Sequence, residues 1–267
     1  MQRGDGITDT KTGGHDLFSY DDYKEIIRLV KESGRYMTYS EAMHADEWIL
    51  MRHDVEYSVE RALALSKVEE SMDFRSVFFF QWTNNSYNIL SRKNRDILTE
   101  MHERGQQIGL HFALNGMTDM QIVRQRIRKE ADMLSDMLGF PITAFSIHRP
   151  SPQVLRENIK LDGLLNAYQD DFFVFNPDTK PTDSPAVKYL SDANHIWRYG
   201  YPDEATIRAH KKIQILVHPF GWTKEGFDNL ENYKSLVREK YTELIDSIDR
   251  ECKDFAAFRG QFEKPPV

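Results

Sequence analysis

The segment Arg52-His53-Asp54-Val55-Glu56 follows the apolar run Trp48-Ile49-Leu50-Met51 and closes it with two carboxylates one residue apart. Residues two apart on an extended strand point to the same side, so Asp54 and Glu56 can converge on one ion. Three later segments have a related form, an apolar run that ends in a histidine. They are Gln107-Ile108-Gly109-Leu110-His111, Ile142-Thr143-Ala144-Phe145-Ser146-Ile147-His148 and Ile213-Gln214-Ile215-Leu216-Val217-His218. One such histidine is most often a hydrogen-bonded structural residue. Three, with a strand-end Asp-x-Glu, point instead to a metal-assisted hydrolytic site. A parallel barrel gathers the C-terminal ends of its strands on one face, where residues far apart in sequence become neighbours.

The elements that must position these residues alternate between strand and helix. A strand over about 47–54 is followed by a helix from about Val59 to Ser71, with Ala62, Leu65 and Val68 on one face. Ser76-Val77-Phe78-Phe79-Phe80 is the short, wholly apolar run of a buried parallel strand. A polar helix over about 87–104 ends at Gly105, and a charged helix over about 118–138 ends at Gly139. Between and after them come the strands that end in His111 and His148. Short strands near Gly163–Ala167 and Val187–Leu190, a strand over 212–218 and a helix over about 228–250 complete a count of seven strands. The pattern is that of a parallel sheet with crossovers, an α/β fold. Asp170-Asp171, Pro177-Asp178 and Pro181-Thr182-Asp183 mark loops in an irregular middle section. Residues 1–15 read as a disordered lead-in, 16–260 as one barrel domain and 261–267 as a tail. Loops at 81–90, 112–120 and 167–186 are expected to shape the pocket.

At 267 residues, 40% hydrophobic and 29% charged, the chain suits one soluble globular domain. A net charge of −7 argues against nucleic acid as a partner, because phosphate binding needs a surplus of Lys and Arg on one face. Cys252 is the only cysteine, so no internal disulfide can form, a composition typical of a reducing compartment. The first fourteen residues lack the apolar core of a signal peptide, and no run of eighteen apolar residues exists to span a membrane. A cytoplasmic location is the expectation.

In this order the segments resemble the polysaccharide deacetylase superfamily, carbohydrate esterase family 4. Arg52–Glu56 and Arg75-Ser76-Val77-Phe78-Phe79 stand where that family has its paired acids and the next strand, and Ile108–His111 where it has its metal histidine. His148-Arg149-Pro150 resembles the catalytic-arginine motif. Ser191-Asp192-Ala193-Asn194-His195-Ile196-Trp197 resembles the acid and tryptophan that orient the arginine and wall the pocket. Leu216-Val217-His218 resembles the general-acid motif. The resemblance covers about residues 45–222 and implies a distorted (β/α)7 barrel. The His-Asp-Val-acid opening is similar to that of deacetylases of bacterial surface-polysaccharide (O-antigen or capsule) biosynthesis. The chain departs from the family at Asn115, where a second metal histidine is usual, and in the spacing of Asp54-x-Glu56.

The resemblance implies a divalent metal, most often Zn²⁺, held by three His, Asp or Glu groups with one position open to water. Glu56, His111 and His148 are assigned to the metal and Asp54 to the base, though Asp54 and Glu56 could exchange roles. His218 is assigned as the acid that protonates the leaving amine. Arg149 would hold Asp54 or substrate, Asp192 would fix Arg149, and Trp197 and Trp222 are candidate sugar-facing or acyl-facing walls. His53 points away from Asp54 and reads as structural. The implied substrate is an acetylated amino sugar or a nucleotide-linked or lipid-linked sugar. The alternatives are an amidase acting on a small C–N substrate, metal-independent or with an atypical site, and a non-catalytic glycan-binding barrel.

Overall fold

The computed structural model describes residues 11–12, 15–174 and 186–263. Most of the expected lead-in, the loop marks at 177–178 and 181–183, and positions 264–267 of the tail lie outside the described residues. At the N-terminus β1 (Lys11–Thr12) pairs antiparallel with β2 (His15–Asp16). α1 (Tyr20–Glu32) and the short α2 (Tyr39–Ala42) precede the alternating part of the chain.

Helix starts follow local side-chain chemistry. Ser19, Ser58 and Ser91 each accept a hydrogen bond from a backbone N–H in the first turn, at the heads of α1, α3 (Val59–Ser71) and α4 (Arg92–Glu103). Such caps satisfy donors that a helix cannot satisfy itself. Asp119 caps α5 (Met120–Leu138), which stops at Gly139 in the left-handed region, as the C-terminal glycine requires.

The strands are β3 (Trp48–Val55), β4 (Val77–Phe80), β5 (Gln107–Ala113), β6 (Ala144–His148), β7 (Leu165–Asn166), β8 (Lys188–Ser191) and β9 (Lys212–Val217). These seven form one sheet in the order β7-β6-β5-β4-β3-β9-β8, every pairing parallel. α6 (Pro152–Arg156) and α7 (Glu204–Ala209) lie in the longer connections, and α8 (Asn229–Glu251) follows β9. The sheet curls. Gln214 on β9 donates to the carbonyls of Ala167 and Phe172, just past β7, although β7 stands five places away in the strand order. The edge strands β7 and β8 do not pair, so the fold is a distorted (β/α)7 barrel, as the sequence leads one to expect.

Period-two alternation divides the strand residues between the two faces. Trp48, Leu50, Val77, Phe79 and Ala144 pack inside the barrel with Tyr39, Ala167 and Phe172. Ile49, Met51, Ile213, Ile215 and Val217 face outward against α1. Inside there is no room for a side chain at Gly109, where an added Cβ would meet the Phe79 ring at 2.4 Å and the Ala144 carbonyl at 2.9 Å. Glycine is what lets Phe79 fill the barrel. Among the described residues, no helix is long and apolar enough to cross a membrane. The expected tail begins in a short 3-10 turn over Arg259–Phe262, which Arg259 ties to Asp246 and Asp249 on α8.

Candidate active site

Because every strand runs the same way, the ends of β3, β5, β6 and β9 bring Asp54, Glu56, His111, His148 and His218 to one rim. A cleft of about 390 Å³ opens there, and Asp54, Glu56, His111, Arg149 and His218 are among its lining.

Glu56, His111 and His148 each place a ligand atom within 4.8 Å of the other two. His111 Nε2 lies 3.1 Å from His148 Nδ1, which lies 3.1 Å from Glu56 Oε1. Donors bound tetrahedrally at ~2.0–2.1 Å from a zinc ion stand about 3.3 Å apart, so the set has the dimensions of such a site. Asn115 is elsewhere. It is exposed, with its backbone in the left-handed region, and its side chain reaches Thr83.

A second row of residues fixes the first. Ser146 lies two residues before His148 and opposite His111 in the strand register. Its hydroxyl donates to Asp54 Oδ1 at 2.9 Å, and its oxygen faces His111 Nδ1 at 2.7 Å. With the Ser146 proton committed to Asp54, His111 Nδ1 must be the donor. The Nε2 lone pair is then free and aimed at the cluster. Burial pushes the His111 imidazole down to about 4, so at neutral pH it is the uncharged form that metals bind. Burial would also raise the Glu56 carboxyl, but the His148 hydrogen bond and nearby histidine charges hold it below its usual range.

Asp54 is 2% exposed. Burial favours its neutral form, yet Arg52, His111 and His218 together with the Ser146 hydrogen bond hold it below the usual carboxylate range. The nearest arginine is Arg52, whose Nη2 is 3.8 Å from Asp54 Oδ2 and whose guanidinium lies over the Tyr168 ring. Of the two expectations for Arg149, a hold on Asp54 or on substrate, this corrects the first. That residue stands on the exposed rim, in a turn out of β6 with φ 46°, among the lining of the cleft. Arg52 is two residues before Asp54 on the inward face, which is why it, and not Arg149, pairs with the carboxylate.

The expectation for Asp192 also changes. Its carboxylate binds His218 Nδ1 at 2.6 Å and the His218 backbone N–H at 2.9 Å, so it orients the histidine and not Arg149. Burial would lower the His218 imidazolium, but the charge and hydrogen bond of Asp192 raise it to about 9. Trp222 is wholly buried and donates its indole N–H to Asp192 at 2.8 Å. Trp197, 7% exposed, packs edge-on against Trp222 and Tyr201. Neither tryptophan lines the cleft, because the apolar layer under α1 takes both rings. The aromatic walls are instead tyrosines and phenylalanines, among them Tyr57, Tyr168, Tyr189 and Phe220. The lining draws on residues 149–155, 168–173 and 189–199 and on the head of α8, and not on 81–90 or 112–120.

His53 faces the opposite layer. It stacks on Phe78 and lies 2.7 Å from Tyr23 Oη, with Ser76 and Glu69 completing a buried polar group. Ser146 and Arg52 are the functional candidates that the sequence analysis missed. The signal for both was period two: each lies two residues from an assigned residue on the same strand face.

No protein-family model matches the chain. No curated protein matches it either. Several solved structures are similar. One is a CE4 family pseudoenzyme from Bacillus anthracis, with TM-score 0.40 and 11% identity over 74% of this chain and 62% of that one. Another is a peptidoglycan deacetylase from Bacillus subtilis, with TM-score 0.39 and 12% identity over 81% and 97%. A third is a CE4 esterase from Streptococcus mutans, with TM-score 0.42 and 14% identity over 80% and 90%. The chain thus spans under two thirds of the length of the pseudoenzyme.

Proposed function

We propose that this protein is a metal-dependent hydrolase that removes an N-acyl group, most simply acetyl, from an amino sugar or sugar precursor. The observation that carries this reading is the gathering of Glu56, His111 and His148 within 4.8 Å, in the same cleft as the His218–Asp192 pair. A divalent ion held by these three groups, most simply Zn²⁺, would make bound water a nucleophile at neutral pH and polarise the acyl oxygen.

The protein's own groups divide the proton work. Asp54, kept ionised by Arg52 and Ser146, accepts the proton of the attacking water. An amide anion is too basic to leave, so the amine must be protonated as the C–N bond breaks. His218 carries a proton at neutral pH, and with Nδ1 turned to Asp192 its Nε2 is the donor that faces the cleft. The tyrosine-rich walls suit the apolar faces of a sugar ring. Arg149 on the rim suits an anionic group, such as the phosphate of a nucleotide-linked or lipid-linked precursor in surface-polysaccharide biosynthesis.

The test is acetate release from N-acetylated sugars by the metal-loaded protein, with metal content measured on the same samples. The reading expects about one divalent ion per chain and acetate in stoichiometric yield with free amine. Ammonia without acetate would move the assignment to an amidase of another class. Neither metal nor product would leave a binding barrel.

A further inference from the structure

α8 is amphipathic twice over. Its inner side is anchored by Arg61 of α3, which donates to Asn232, Ser235 and Glu239, and by the buried Leu236. Its outer side carries a second apolar row, left largely exposed by the described residues. Leu230, Tyr233, Val237 and Leu244 are 63%, 42%, 53% and 58% exposed, and the half-buried Tyr241 and Ile248 fall in the same row. At about 100° per residue these six lie within roughly 80° of one another, and the row runs for about 27 Å.

Two features identify what this row is built to hold. First, it begins at the mouth of the cleft: Tyr233 lines the cleft and stacks on Phe220, another lining residue, at 6.3 Å. From there the row leads away down the outside of the barrel. A surface for self-association has no reason to start at the mouth, whereas an apolar chain attached to a substrate must. Second, the steps along the row are 3, 4, 4, 3 and 4, which average 3.6 and keep it straight on an undistorted helix. A helix that pairs with its own copy by supercoiling alternates 3 and 4.

We propose that the outer face of α8 binds the long alkyl or prenyl chain of an amphiphilic substrate whose sugar head occupies the cleft. This deepens the reading above and rests on it for the head group only.

The test compares the ethyl and octyl β-glycosides of N-acetylglucosamine below their micellar concentrations, with binding followed by calorimetry on the full chain and acetate assayed in parallel. A chain half-shielded by the row gains about twofold per methylene, so the octyl glycoside should bind about sixty-fold more tightly than the ethyl one. The L230S/V237S/L244S variant should bind the ethyl glycoside as the wild type does and lose that gain. The single Val237→Ser change should lose part of it. Circular dichroism checks the fold of both. Equal affinity for the two glycosides, no binding of the octyl glycoside, or an undiminished gain in the triple variant would each overturn the proposal. So would a wild-type dimer in sedimentation that the triple variant turns into monomer, because a second copy would then cover the row. Chain-length-dependent binding without acetate release would leave the proposal standing and remove the deacylase reading.

Discussion

The Asp192 carboxylate grips His218 at both ring and main chain, with Nδ1 2.6 Å from Oδ1 and the backbone N–H 2.9 Å from Oδ2, while Trp222 donates to Oδ2 from the core side. One buried acid therefore sets the position, tautomer and charge of the proposed proton donor.

The charge has a measurable consequence. His218 rises in the fold from 6.5 to about 9. Its pairing therefore stabilises the native state fully below 6.5 and loses that contribution as pH rises through about 9. Asp192→Asn removes the attraction and should let the alkaline limb of activity fall from near 9 towards neutrality. In urea denaturation the stability gap between wild type and variant should be about 3 kcal/mol at pH 6 and close to zero at pH 10. A gap that does not change with pH would mean that Asp192 acts as a neutral hydrogen-bond acceptor alone.

Ser146 supplies the second prediction. Its hydroxyl is given to Asp54, which forces His111 to donate from Nδ1 and present Nε2. Ser146→Ala should lower metal affinity by about 10–100-fold without unfolding the chain, whereas His111→Ala should lose the metal altogether. Elemental analysis after dialysis against graded chelator would rank the two. Equal metal content in Ser146→Ala and wild type would remove Ser146 from the site.

What the sequence made legible was whatever period two and strand order control. Asp54, Glu56, His111, His148 and His218 end strands, and once the strands are parallel their convergence follows from topology. Trp197, Trp222 and the partner of Arg149 lie beyond the strand ends, where turn geometry decides direction, and there residue type is a poor guide. An arginine after β6 is left on the cleft's rim and not against Asp54, and a tryptophan after β9 is drawn into the apolar layer under α1. Arg52 was on the page beside Asp54, but the role of a buried cation depends on its partners, and those come from distant segments.

Arg52 is fully buried. Its guanidinium finds Asp54 at 3.8 Å and the face of Tyr168. Removing one member of a buried pair leaves the other charge without its compensation, and Asp54 stays buried when Arg52 is gone. Arg52→Met should therefore be less stable than wild type in urea at neutral pH, by about 3–5 kcal/mol. It should also release Asp54 upwards, because burial then acts on that carboxyl without Arg52 to oppose it. The acid limb of activity should move to higher pH and turnover at pH 6 should drop by about tenfold or more. A variant with an unchanged pH profile would make Arg52 a packing residue.

The last prediction concerns the buried group beneath β3. Glu69 has no exposure and accepts from Tyr23 and Ser76, and burial pushes its carboxyl up to about 8. His53, 3.3 Å away, is pushed down by burial to about 3. Both groups are thus neutral in the fold between about 3 and 8. Above 4.5 the unfolded chain ionises Glu69 and the native one does not, so that contribution to stability is lost as pH rises through about 8. Below 6.5 the unfolded chain protonates His53 and the native one does not, so the corresponding contribution is lost as pH falls towards 3. Glu69→Gln removes the first slope and keeps the second. From pH 5.5 to pH 8 the wild type should lose ~3 kcal/mol relative to Glu69→Gln, while below about pH 4 the two should run parallel, since only the His53 slope, common to both, is left. Parallel profiles from pH 5.5 to pH 8 would show that Glu69 is ionised in the fold and that His53 carries the compensating proton.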